Sequence, residues 1–191
     1  MSLLSCVEFQ PFDDWDQAPL WRDGHYTSVD DGWPERLSAP MQAFMDKMDA
    51  LRSPGETMVR KTAIDPVKMP AFLSGIQLVE CVRKHPHAVG DPKIGDLRFL
   101  IRVVGTDIVT STGFDYTGRY MDEFHPPENI PIIERVYGAI VAERRPQYWR
   151  SCEPVTKRLD SRFERIIFPL MADCGEISHL IGYWNYDVPR L

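Results

Sequence analysis

At 191 residues and 43% hydrophobic content, the chain has enough apolar material for one folded domain with extensions. A formal net charge of −6 leaves no basic footprint for nucleic acid, and no apolar run approaches the roughly 18 residues of a membrane span. Cys6, Cys81, Cys152 and Cys174 lack CxxC or Cys-His spacing, so reduced, buried thiols are expected rather than a zinc knot or redox pair.

Residues 1–35 hold eight acids against one base, a balance of −7 that leaves residues 36–191 at +1. The same segment carries Trp15, Trp21, Tyr26 and Trp33, too many aromatics for a purely solvating tail. It reads as an arm that packs on its own domain or on a partner. The opening MSLLSCVEFQ has neither a basic n-region nor the apolar run of a signal peptide, so a cytoplasmic protein is expected.

Residues 36–75 read as N-terminal helices. Ser38 is an N-cap candidate with Pro40 in the first turn, and Met41, Phe44, Met45, Met48 and Leu51 repeat at helical spacing until Ser53-Pro54-Gly55. One apolar stripe of this kind packs either on its own domain or on a second copy in a homodimer. Asp65-Pro66 starts a second helix, which Pro70 should shorten or kink.

The domain proper is expected over residues 76–191. Ile76–Val82 reads as a first strand. In Asp96–Arg119, Leu97, Phe99, Ile101 and Val103 alternate with Arg98, Leu100, Arg102 and Val104, the pattern of a strand covered on one side. Gly105 lets the backbone leave that strand, Thr106 should cap a short helix, and Gly113 should stop it in a left-handed conformation. Pro126-Pro127-Glu128 opens the longest central helix, whose buried stripe is Ile133, Val136, Tyr137, Ile140 and Val141. Residues 147–155, 161–172 and 176–188 then read as three hairpin-linked strands. Two strands, helices and three further strands predict an α+β fold: a five-stranded antiparallel sheet with helices on one face, plus the N-terminal helical extension.

That element order, with Leu51-Arg52, Ile64-Asp65-Pro66, Val104-Gly105-Thr106, Thr117-Gly118-Arg119 and Pro169-Leu170 in sequence, resembles a PAS domain. More narrowly it resembles the proteobacterial PAS-like family formerly described only as a domain of unknown function. The likeness spans roughly residues 40–188. It implies a bacterial sensory or interaction module in signal transduction whose sheet and helices enclose a small molecule, with output delivered to a signalling protein partner by contact.

The residues themselves do not support haem, because the central helix lacks a histidine and His125 only precedes it. A photoreactive flavin domain would need an Asn-Cys-Arg-Phe-like motif that is absent. His85, His87 and Asp91 could be drawn as metal ligands but read better as loop residues, and Asp13, Asp14 and Asp16 lack the glycine and glutamate of a calcium loop. No phosphate loop, nucleophile elbow or catalytic triad can be assembled, so no enzyme is expected.

A ligand is expected against Phe99, Ile101 and Val103 of the second strand. Ile108, Phe114, Tyr120, Phe124, Val136, Tyr137 and Ile140 should close over them, and Tyr148, Ile167 and Trp184 should come from the other strands. The same residues would also make an ordinary solid core. Two functions therefore stay open: a small-molecule sensor, or a ligand-free protein–protein interaction or dimerisation module. Arg119 should tie down its own turn, through carbonyls or Asp122.

Overall fold

The computed structural model describes residues 24–28, 37–85, 95–125, 127–151 and 163–186. Strands β1 (Gly24–Ser28), β2 (Val59–Arg60), β3 (Ile76–Arg83), β4 (Leu97–Val104), β5 (Gln147–Ser151), β6 (Glu164–Met171) and β7 (Ile177–Asn185) form one sheet. Helices α1 (Ala39–Ala50), α2 (Thr106–Thr112) and α3 (Ile130–Glu143) cover it.

The order across the sheet is β1-β5-β6-β7-β3-β4, so β3 and β7, the first and last of the five expected strands, are neighbours. The five expected strands pair antiparallel as an α+β fold requires. Two strands exceed the expectation. β1 adds antiparallel along β5, and β2 pairs parallel with Leu170 and Met171 of β6, beyond the end of β5.

Both faces of the sheet are covered, which decides what the N-terminal extension does. α3 and α2 pack on an inner face with Phe99, Ile101, Val79, Ile167 and Leu180. On the outer face Met41, Phe44 and Met48 of α1 pack with Ile166, Leu170 and Ile181, and all six are fully buried. The α1 stripe is thus spent on its own sheet, with Phe44 stacked on Tyr183 at 5.1 Å and edge-on to Phe72 at 5.3 Å. Burying a phenylalanine in this way contributes about 1.5–3 kcal/mol. Ser38 caps the helix, its Oγ accepting from the Met41 N–H at 3.4 Å.

Local chemistry explains the departures. Pro70 divides the second predicted helix into two 3-10 turns, Pro66–Lys68 and Pro70–Gly75. Asp65 caps the first of them by accepting from the Val67 N–H at 3.0 Å. The cap position of α2 is Gly105, not Thr106, and no side chain caps that helix. Gly105 is needed for a different reason: a Cβ there would lie 2.2 Å from the Ser74 carbonyl oxygen. Its own N–H donates to the Ile76 carbonyl at 2.7 Å, so the end of β4 is pressed against the start of β3. The central helix begins at Ile130 after a 3-10 turn at Pro127–Asn129.

Residues 118–120 run along the outer edge of β4. The Gly118 N–H donates to the Ile101 carbonyl at 2.8 Å, the Ile101 N–H donates to the Arg119 carbonyl at 2.9 Å, and Leu100 bridges Tyr120. Gly118 has φ +82°, which the turn requires and glycine allows. Arg119 donates to the Glu123 carbonyl at 3.0 Å, whereas Asp122 is held by both ends of the Arg98 guanidinium at 2.7 and 2.8 Å.

Candidate functional site

The inner face is built by alternation along five strands. β4 presents Leu97, Phe99 and Ile101; β3 presents Gln77, Val79 and Cys81; β7 presents Leu180, Gly182 and Trp184; β6 presents Arg165 and Ile167; β5 presents Trp149. Above them lie Ile133, Val136, Tyr137 and Ile140 of α3, Ile108 of α2, and Tyr116, Met121 and Phe124 from the connection between those helices.

Nine of the expected lining residues come together here: Phe99, Ile101, Ile108, Phe124, Val136, Tyr137, Ile140, Ile167 and Trp184. Four do not. Val103 is 44% exposed, because the pairing slips between Leu78 and Val79: Leu78 faces Val103, but Val79 faces Ile101. Arg102 is the extra residue of a bulge, so the alternation inverts and Val104 packs inward instead. Phe114 is also largely exposed, beside the Arg119 guanidinium at 5.6 Å. Tyr120 lies with the outward residues of β4, its ring 3.7 Å under the Arg98 guanidinium. Tyr148 faces the outer core, and its neighbour Trp149 takes the inward place.

Polar groups enter this apolar layer at points the sequence pattern did not mark. Arg165 is 5% exposed, with the rings of Trp149, Trp184 and Tyr137 centred 5.2, 5.7 and 5.8 Å from its guanidinium carbon. Such placement gains cation–π attraction, and Arg165 also makes a side-chain hydrogen bond with Tyr137. Gln77 is 4% exposed and donates through Nε2 to the Tyr116 hydroxyl at 3.2 Å. Its Oε1 is buried and accepts no hydrogen bond among the described residues. Asn129, before the first turn of α3, is buried with neither amide atom partnered among the described residues, although asparagine at this position ordinarily caps the helix.

An aromatic column leads outward from Gln77. Tyr116 stacks on Phe124 at 4.6 Å, and Phe124 lies 4.5 Å from the His125 ring. Burial, and then the positive charge of Arg165, push the His125 pKa down to about 4, so the ring is neutral near pH 7. Burial raises Tyr116, Tyr137 and Tyr186, which remain as hydroxyls. Burial likewise pushes the Cys81 thiol up to about 12, leaving it a packing group rather than a nucleophile. His87, Asp91, Cys6 and Cys152 lie outside the described residues.

No family model matches the chain, and no curated protein is similar to it. Among solved structures, the chain is similar to an RNA-binding Light-Oxygen-Voltage receptor, with TM-score 0.45 and 11% identity over 86% of this chain and 38% of that one. It is also similar to the light state of the blue-light photoreceptor Aureochrome1 LOV, with TM-score 0.36 and 12% identity over 63% of this chain and 87% of that one. The chain spans well under half the length of the first of these proteins. No helix among the described residues is long and apolar enough to cross a membrane.

Proposed function

We propose that this protein is a PAS-like sensory module that binds a small molecule between the inner face of its sheet and α3, and signals through contact with a protein partner. The observation that carries this reading is the pair of buried amide side chains, Gln77 on the inner face and Asn129 ahead of α3, which leave amide atoms without a partner among the described residues. A solid core gains nothing from such groups, since each buried polar atom without a partner costs about 1–3 kcal/mol. A site for an oriented ligand uses a few of them among apolar walls. The order of two strands, helices and three strands, with β3 and β7 side by side, supports the PAS-like assignment.

The competing reading, a ligand-free dimerisation module, loses the α1 stripe as its seam, because Met41, Phe44 and Met48 are buried against β6 and β7. Native mass spectrometry of the purified protein, together with melting in a metabolite library, tests the proposal. A bound species or a reproducible rise in Tm is the expected outcome. Neither appearing would sink the sensory reading.

A further inference from the structure

We propose that the apolar ridge of the two 3-10 turns before β3, carried by Val67, Pro70 and Leu73, is the docking surface for this chain's own N-terminal arm, seated there through Phe12 and Trp15. This contact does not depend on the inner core taking a ligand.

Of residues 66–75, only Lys68 and Ser74 are polar. Met69, 1% exposed, and Phe72, edge-on to Phe44, spend their side chains on the outer core. The others face water: Val67 is 85% exposed and Leu73 43%, with Pro70 and Ala71 exposed between them. A run of exposed apolar side chains in a surface turn marks a contact surface. Beside it stands Lys68, its side chain 69% exposed and its ammonium 3.7 Å from Asp65.

Register places the arm's point of departure at the same end of the sheet as the ridge. Gly24, where β1 begins, pairs with Ser151, one residue past the Arg150–Glu164 pair, and Glu164 pairs with Asn185. On β3, Ile76 pairs with Tyr183, and a Cβ on Gly75 would meet the Trp184 carbonyl oxygen at 2.4 Å, so Leu73 lies at that end too. Four strand spacings, about 19 Å, separate β1 from β3. At about 3.3 Å per residue, about six residues before Gly24 cover that distance. Trp21 is therefore too near Gly24 to reach, whereas Trp15 and Phe12, nine and twelve residues away, have the length. Residues 1–23 carry five acids, Glu8, Asp13, Asp14, Asp16 and Asp23, against Arg22, and the three around Trp15 complement Lys68 on the ridge. The link through β1 holds the arm at high local concentration over its own ridge, which favours this occupant over the arm of a second copy.

Carbene footprinting of the full chain with a photolysed diazirine, beside Trp15→Ser and Trp21→Ser, tests the docking. The expected result is at least threefold more labelling of residues 66–73 in Trp15→Ser and little change in Trp21→Ser. Equal labelling of the ridge in wild type and Trp15→Ser, or an equal rise in both variants, overturns the inference. Protection that fades on dilution overturns it as well, since the arm of a second copy is then the cover. Should Trp15→Ser not fold, fluorine NMR of the full chain carrying fluorotryptophan decides, with Trp15 assigned through Trp15→Phe. A Trp15 resonance shifted from its urea-denatured position, and moving back towards it in Leu73→Asp, supports the docking. A resonance already at the denatured position, or one unmoved in Leu73→Asp, overturns it.

Discussion

Glu164 and Arg165 are consecutive residues of β6, both almost completely buried, and they point to opposite faces of the same sheet. Arg165 stands in the inner aromatic layer. Glu164 accepts from the Tyr148 hydroxyl at 2.8 Å and from Asn185 Nδ2 at 2.9 Å, and the same Nδ2 reaches the Oγ of Ser38, the N-cap of α1, at 3.2 Å. One peptide unit and two hydrogen bonds through Asn185 therefore connect Arg165 to the residue that caps the outer helix.

Replacing Glu164 by leucine should leave the Tyr148 hydroxyl and the Asn185 amide short of a buried acceptor. We expect a loss of about 2–4 kcal/mol. Glu164→Gln keeps an acceptor oxygen and should lose less. Urea denaturation measures both, and equal stabilities for the two variants would remove the acceptor role from the account.

Gly105→Ala should cost about 1–3 kcal/mol through overpacking, since the new methyl would meet the Ser74 backbone. Backbone cannot rotate away as a side chain can. Thr106→Ala, by contrast, removes no cap from α2 and should change stability by less than about 0.5 kcal/mol. Thermal melts of the two variants separate the architectural residue from the bystander.

The bulge in β4 makes neighbouring apolar residues unequal. Ile101→Ala should cost about 2–5 kcal/mol because the side chain is fully buried, while Val103→Thr should be nearly neutral because it is solvent-facing. Comparable losses in both would mean that the alternation runs unbroken along the strand.

Protonating His125 should weaken the fold. Its folded pKa of about 4 lies below the ordinary 6.5, so the unfolded chain binds the extra proton first. The stability it confers is present above pH 6.5 and lost as pH falls toward 4. Between pH 7 and 5 the loss should be about 2 kcal/mol. His125→Asn should shrink the pH dependence of the urea midpoint over that window, and an unchanged slope would show that the ring titrates as it would in water.

Much of the architecture was legible because it follows from periodicity and punctuation. Ser38 marks the start of α1, Asp65 and Pro70 mark and break the turns after it, and Gly113 takes the left-handed φ of +74° that ends α2. The candidate site was legible only where alternation stays regular. A bulge at Arg102 has no sequence signature, so Val103 and Val104 exchange roles unseen. Tyr148 and Trp149 are equally suited to either core, and only the presence of α1 on the outer face lets both be buried. For the same reason Arg165 gave no signal: in a strand covered on one side, a charge beside an apolar run belongs to solvent. The available clue was the pair Glu164-Arg165 ahead of Ile166 and Ile167, since with both faces covered neither charge could reach water.

The turn at residues 118–120 carries a consequence for how this molecule behaves in a crowd. By pairing with the amide and carbonyl of Ile101, it denies that point on the outer margin of β4 to an extended segment from another chain. Exposed margins of sheets are where strands from separate molecules join and grow into fibrils. Here the chain folds its own backbone over the middle of that margin, so an incoming strand meets an interrupted row of amides at β4 rather than a continuous one.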